Sequence, residues 1–165
     1  MTICEFMEKD WGDVWQVIKP VFRAGETYAF SCDITEEDAY KTWIVTPAQT
    51  YVVRDADNTL LGTYYIKPNQ AGPGAHVCNC GYIVSDKARG KGVASKMCAH
   101  SQEEAVAKGF RAMQFNHVVS TNEGAVRLWK KHGFEIVGTL PGAFHHPKEG
   151  YVDAYVMFKT FVSGT

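Results

Sequence analysis

Tyr82-Ile83-Val84-Ser85-Asp86-Lys87-Ala88-Arg89-Gly90-Lys91-Gly92-Val93-Ala94 reads as a strand, a polar turn and the start of a helix. Tyr82 to Val84 are aromatic or β-branched, which suits a strand. Beyond the turn, the apolar residues Val93, Ala94, Met97, Cys98 and Ala105 form the teeth of a helix. A strand that runs through glycines into a helix start makes an anion site. The first N–H groups of a helix have no intrahelical partner, and the helix dipole places partial positive charge beside them. Gly90 and Gly92 leave the backbone uncovered, while Arg89 and Lys91 add charge. The turn is therefore predicted to hold a pyrophosphate, with Arg89, Gly90, Lys91, Gly92, Val93, Ala94 and Ser95 around it.

Two familiar phosphate motifs do not fit. A Walker loop needs Gly-Lys-Ser/Thr after its first glycine, and here Gly92 is followed by Val93. The dinucleotide fingerprint needs a third glycine where this chain has Ser95. The pattern present is Arg-x-x-Gly-x-Ala, at Arg89, Gly92 and Ala94, and it resembles the acetyl-coenzyme A loop of the GNAT N-acetyltransferases. A second block lies downstream at the family's spacing. Asn122-Glu123-Gly124-Ala125-Val126-Arg127-Leu128-Trp129-Lys130-Lys131-His132-Gly133-Phe134 resembles the family's Asn-x-x-Ala-x-x-Leu-Tyr-x-x-x-Gly-Phe. Asn122 suits a helix N-cap and Gly133 suits the left-handed residue that ends a helix. An ordinary amphipathic helix would carry either block alone; both in this order are much harder to obtain by chance. The resemblance covers almost the whole chain.

Composition narrows the partners. At 165 residues with 45% hydrophobic residues, the chain is long and apolar enough for one globular domain, residues 1–165. A net charge of −1 gives no broad basic surface, so nucleic acid and anionic membrane are not expected partners. No apolar run has the length of a membrane helix, and the first residues lack the pattern of a signal peptide. The odd cysteine count, without Cys-x-x-Cys spacing, points to reduced thiols in a cytoplasm and no metal. Buried small hydrophobes are the expected role of Cys78 and Cys80.

Patterning predicts a first strand from Ile3 to Met7 and a helix from Trp11 to about Arg23, capped by Asp10 and kinked or shortened by Pro20. An aromatic loop follows from Ala24 to Asp33. A second helix begins at Thr35 and ends near Trp43. A hairpin joins Tyr51–Arg54 to Leu60–Lys67 through Asp57-Asn58. A long strand over Ala75–Val84 leads into the pyrophosphate turn and a helix to about Lys108. Arg111–Val118, a helix from Asn122 to His132, Phe134–Leu140 and Tyr151–Lys159 complete the chain. This order is α+β around one sheet. The resemblance implies a mixed, twisted sheet that splays open near its centre, flanked by helices. It also implies that the pantetheine arm pairs with backbone near Ile83 and Val84.

The resemblance implies transfer of an acetyl group from acetyl-coenzyme A to an amine by direct attack in a ternary complex. That chemistry needs an in-line thioester, a donor for the oxyanion and a base for the amine. In the family the oxyanion donor is strand backbone, here around Tyr82 to Val84. Many members place a tyrosine where this chain has Trp129, to protonate the leaving thiolate. An indole N–H is no useful acid, so no general acid is assigned. Asn122 remains to hold the thiol end of the coenzyme, or simply caps its helix. No glutamate lies in the central strands; Asn116 and His117, expected on opposite faces of theirs, are the polar groups on offer. An imidazole has the right chemistry for a base, although a lone strand histidine is more often structural.

Asn79 and Asn116 are polar exceptions in apolar runs, and a buried amide is costly unless it is bonded. Either they knit two strands together or they face the acceptor. Asn79, Asn116 and Asn122 together resemble a narrower group, the fungal and bacterial GNAT enzymes that N-acetylate proline analogues such as azetidine-2-carboxylate. That likeness implies acceptor binding at Asn79 and Asn116 and coenzyme binding at Asn122. Glu26 and Tyr28 lie in the loop that usually walls the acceptor side. The expected partners are thus acetyl-coenzyme A and a small amine or amino acid, with a homodimer left open. A protein N-terminus as acceptor and a non-catalytic acetyl-coenzyme A sensor are the competing readings.

Overall fold

A computed structural model describes residues 1–162; the last three positions of the expected domain lie outside them. Its sheet has seven strands in the order β1-β2-β3-β4-β5-β7-β6. They are β1 (Thr2–Glu5), β2 (Gln49–Arg54), β3 (Leu60–Pro68), β4 (Val77–Val84), β5 (Ala112–Val119), β6 (Glu135–His146) and β7 (Gly150–Thr160). Every neighbouring pair is antiparallel except β4 and β5. The helices are α1 (Trp11–Ala24), α2 (Glu36–Tyr40), α3 (Val93–Ala107) and α4 (Glu123–Lys131). No helix among the described residues is long and apolar enough to cross a membrane.

Two apolar cores cover the two faces of the sheet. One joins α3 and α4 to Tyr64, Cys78, Cys80, Phe115 and Met157. The other joins α1, Ala39 and Trp43 to Val52, Leu60, Tyr65 and Ile83. Alternation along β4 explains the division: Cys78 and Cys80 face one core and Ile83 the other. Cys78, Cys80 and Cys98 are buried hydrophobes, while Cys4 and Cys32 are exposed, and burial pushes the Cys98 thiol up to about 12.

Local details follow residue chemistry. Asp55 Oδ1 accepts from the N–H of Asp57 and of Thr59, and Asn58 takes φ 63, which builds the expected hairpin turn. Pro20 does not shorten α1, which runs on to Ala24 and closes on left-handed Gly25. Asp10 does not cap with its side chain. Its carboxylate accepts from the Met7 N–H and pairs with Arg54 at 2.8 Å, tying the helix start to β2. The second helix begins as expected, with Thr35 Oγ1 accepting from Asp38 N–H, but continues as a π-helical turn over Lys41–Val45. That turn places fully buried Trp43 where its Nε1–H reaches Thr63 Oγ1 at 3.1 Å.

Candidate active site

β4 and β5 pair only at Val77 with Ala112 and at Cys78 with Met113. Beyond that point they part. The Asn79 side chain closes the crotch of the split, its Nδ2 donating to the Gln114 carbonyl at 2.9 Å. Farther along, Tyr28 from the early loop reaches into the gap. Its hydroxyl donates to the Tyr82 carbonyl at 2.8 Å and accepts from the Tyr82 N–H at 2.7 Å. Tyr82 therefore turns its peptide groups into the gap and away from β3. Hydrogen-bonded and non-bonded pairs alternate along an antiparallel ladder, so Ile83, opposite Thr63, pairs with β3. Val84 faces the gap again. Of the two residues expected to meet the pantetheine arm, only Val84 has main-chain groups turned that way, and the Tyr82 N–H is already engaged.

Tyr28 sits between Phe22, Phe30 and Trp43 and is stacked on Phe30 at 5.7 Å. Burial, with Tyr65 nearby, pushes its phenol well above the ordinary value, so it stays a neutral donor at any working pH. Tyr28→Phe removes both bonds to Tyr82. Unfolding in urea should show a loss of about 1–3 kcal/mol, the cost of orphaned buried peptide groups. Unchanged stability would mean that these groups are satisfied without the phenol.

The turn before α3 leaves its backbone uncovered. Gly90 and Gly92 take φ 75 and φ 76, a region L side chains avoid. A Cβ on either would meet nothing within 4 Å, so the space above them is open. Gly92 precedes α3, whose first closing bond runs from Lys96 N–H to the Gly92 carbonyl at 3.0 Å. The N–H groups of Val93, Ala94 and Ser95 have no carbonyl behind them within the helix. Arg89 is exposed and paired with Asp86 at 2.9 Å. Ser95 Oγ bonds His132 Nε2 at 2.8 Å, which links α3 to the end of α4. Burial, Lys159 and Lys131 all lower the pKa of His132.

One cavity of about 1160 Å³ runs from this turn through the gap to the early loop. Asn79, Asn116, His117, Asn122, Glu26 and Tyr28 all line it, as do the residues of the turn from Arg89 onward except Lys91. Their states differ. Asn122 precedes α4, but its side chain makes no capping bond, so the capping role suggested by its position is not observed. Asn116 is exposed and engaged at both ends: its Nδ2 donates to Asn69 Oδ1 at 2.7 Å and its Oδ1 accepts from Gln114 Nε2 at 2.9 Å. A bulge sets Asn116 and His117 together opposite Val156, which breaks the simple alternation expected of the strand. His117 Nε2 is buried without a hydrogen-bond partner among the described residues. Its ring lies 6.0 Å from that of Phe144.

Three further lining residues escaped the sequence reading: Lys67, His146 and Glu149. They come from the end of β3 and from the β6–β7 hairpin, and only the register of the sheet brings them to the gap. His146 Nδ1 accepts from the N–H groups of Lys148 and Glu149, both at 3.1 Å. The same hairpin meets the early loop through a Lys148–Glu26 ion pair at 3.2 Å. Exposed pairs stabilise little. This one marks where two loops touch beside the cavity. No group of three or more His, Cys, Asp or Glu among the described residues is arranged to hold a metal ion.

A split between parallel strands beside a glycine-bearing helix start can hold an anion and the arm attached to it. The chain matches the model of the acetyltransferase (GNAT) family over residues 11–134. It is 32% identical over 148 residues to N-acetyltransferase aca1 of Schizosaccharomyces pombe, a match covering 80% of this chain and 71% of that protein. It superposes on a GCN5-related N-acetyltransferase from Kribbella flavida with a TM-score of 0.93 and 41% identity, over 97% of both chains. A phosphinothricin acetyltransferase from Sinorhizobium meliloti, in complex with AcCoA, shares the fold at a TM-score of 0.86 and 18% identity, over 99% of this chain and 90% of that one. The protein belongs to the GNAT family and is an acetyl-CoA-dependent N-acetyltransferase.

Proposed function

We propose that the enzyme acetylates the amino group of a small amine or an amino or imino acid. The observation that carries this reading is the continuity of the cavity. It joins the open space above Gly90 and Gly92 to an acceptor end roofed by the early loop and the β6–β7 hairpin. A peptide acceptor needs an open groove, and the Glu26–Lys148 contact ties the early loop to the β6–β7 hairpin.

In the proposed reaction, coenzyme A lies with its pyrophosphate on the Val93–Ser95 N–H groups and its arm along Val84. The amine nitrogen attacks the thioester carbonyl carbon, the C–S bond breaks and the thiolate leaves. The His117 ring lines the cavity and accepts the amine proton, turning so that its partnerless Nε2, shut off from solvent at rest, meets the amine. Asn79 spends its Nδ2 on Gln114, which leaves its carbonyl oxygen for an acceptor N–H. Asn122, free of capping, faces the departing sulfur. A free thiol has a pKa of roughly 8.5, so the thiolate leaves without a strong acid.

Trp129 fits this scheme as a wall. It is 9% exposed and packs against Tyr82 and Phe115 at 5.0 and 5.1 Å. Trp129→Phe is expected to keep kcat within about tenfold, because no proton passes through the indole. A loss of several orders of magnitude in a folded variant that still binds coenzyme A would sink that view. The reading as a whole is tested by thiol release over a panel of small amines, amino acids and short peptides. Turnover confined to peptides would transfer the activity to protein N-termini, and no turnover with any acceptor would favour a sensor.

A further inference from the structure

Lys67 is a cation at the acceptor end of the cavity with no carboxylate in ion-pair range among the described residues. It is half-buried, and its direct cross-strand partner is Asn79. Its ammonium does not point out to solvent along the end of the strand. Nζ lies 5.4 Å from the centre of the Tyr65 ring, so the side chain folds back along the sheet. Tyr65 in turn lies over Gly81, its cross-strand partner. A Cβ at Gly81 would sit 2.6 Å from Tyr65 Cε1, so glycine is what lets the ring lie there. The ring thus carries the charge back to the level of Gly81, one residue from the Tyr82 peptide groups that Tyr28 holds.

Glu149 also lines the cavity, but it is not within ion-pair range of Lys67. Asn79 and Asn116 are neutral amides, and Glu26 is engaged by Lys148. A cation over an aromatic face is held more weakly than one in a charge-assisted hydrogen bond. An anionic group entering the cavity would therefore take the ammonium from the ring.

We propose that Lys67 binds the carboxylate of the acceptor, so that the enzyme selects amino or imino acids bearing a free carboxylate. Plain amines, amino-acid amides and peptide N-termini lack that anion beside the nucleophile. The proposal rests on the small-acceptor reading above and adds the group that decides among small acceptors. Gly81 and Tyr65 are positioning residues for the charge.

The test uses matched pairs: azetidine-2-carboxylate, proline and alanine, each as free acid and as carboxamide, followed by thiol release. The wild type should prefer the acids. In Lys67→Met, which keeps the apolar stem, KM for the acids should rise on the order of 10- to 100-fold, the range of a charge-assisted hydrogen bond. KM for the carboxamides and affinity for acetyl-CoA should not move. Lys67→Arg should retain most of the preference. The carboxamide measured on the same variant is the control for misfolding. Equal losses on acid and amide, or no acid preference in the wild type, would overturn the role of Lys67 and leave the small-acceptor reading standing. Turnover of peptides alone, or of nothing, would overturn both.

Discussion

Gly92→Val should weaken acetyl-CoA binding by more than about 100-fold, measured by calorimetry, while the fold persists. Gly92 takes φ 76, and a β-branched residue there is strained by roughly 1–2 kcal/mol. That strain falls on an exposed turn, where nothing within 4 Å opposes a new Cβ. Packing is therefore not the reason for the loss. The valine methyl groups would stand in the open space above the N–H groups of Val93, Ala94 and Ser95, where the pyrophosphate has to sit. Each charge-assisted hydrogen bond so lost is worth about 1.5–3 kcal/mol, and two suffice for the expected effect. Wild-type affinity in Gly92→Val would show that the anion binds elsewhere.

His117→Ala should lower kcat by roughly 10²- to 10⁴-fold, the usual contribution of a positioned base. Acetyl-CoA affinity should not change, because none of the proposed coenzyme contacts, at Val84, Val93–Ser95 and Asn122, involves His117. Thermal stability should change little, because His117 Nε2 makes no hydrogen bond to lose. A variant with unchanged kcat and a lowered melting temperature would make His117 a structural residue and leave proton removal to water.

The three asparagines show how far residue type carries an argument. Each stood out as a polar residue in an apolar or motif context. Their chemistry diverges because their partners come from elsewhere in the chain. Asn79 is spent in part on the Gln114 carbonyl across the split, and Asn116 is engaged by Asn69 from the β3–β4 connection and by Gln114. Asn122, with the cap position and the cap residue type, makes no cap bond. Period-two alternation also fails locally, because a bulge places Asn116 and His117 opposite one residue of β7. Tyr28 was legible as part of an acceptor-side loop; its double bond to Tyr82, 54 positions away, was not.

By itself the sequence determined the glycine turn before α3, the order of strands and helices, and the family. Those features rest on short-range physics: glycines at positive φ, a helix start, hydrophobic periodicity within one element, and motifs of fixed spacing. Only the tertiary structure decided which polar groups remain available in the gap. The orphan nitrogen of His117, the unpaired charge of Lys67 and the engaged N–H of Tyr82 depend on partners supplied, or withheld, by other strands and loops. Hydrogen-bond satisfaction is a property of the assembled neighbourhood, and the energy of a polar group is set by what surrounds it once water has been excluded.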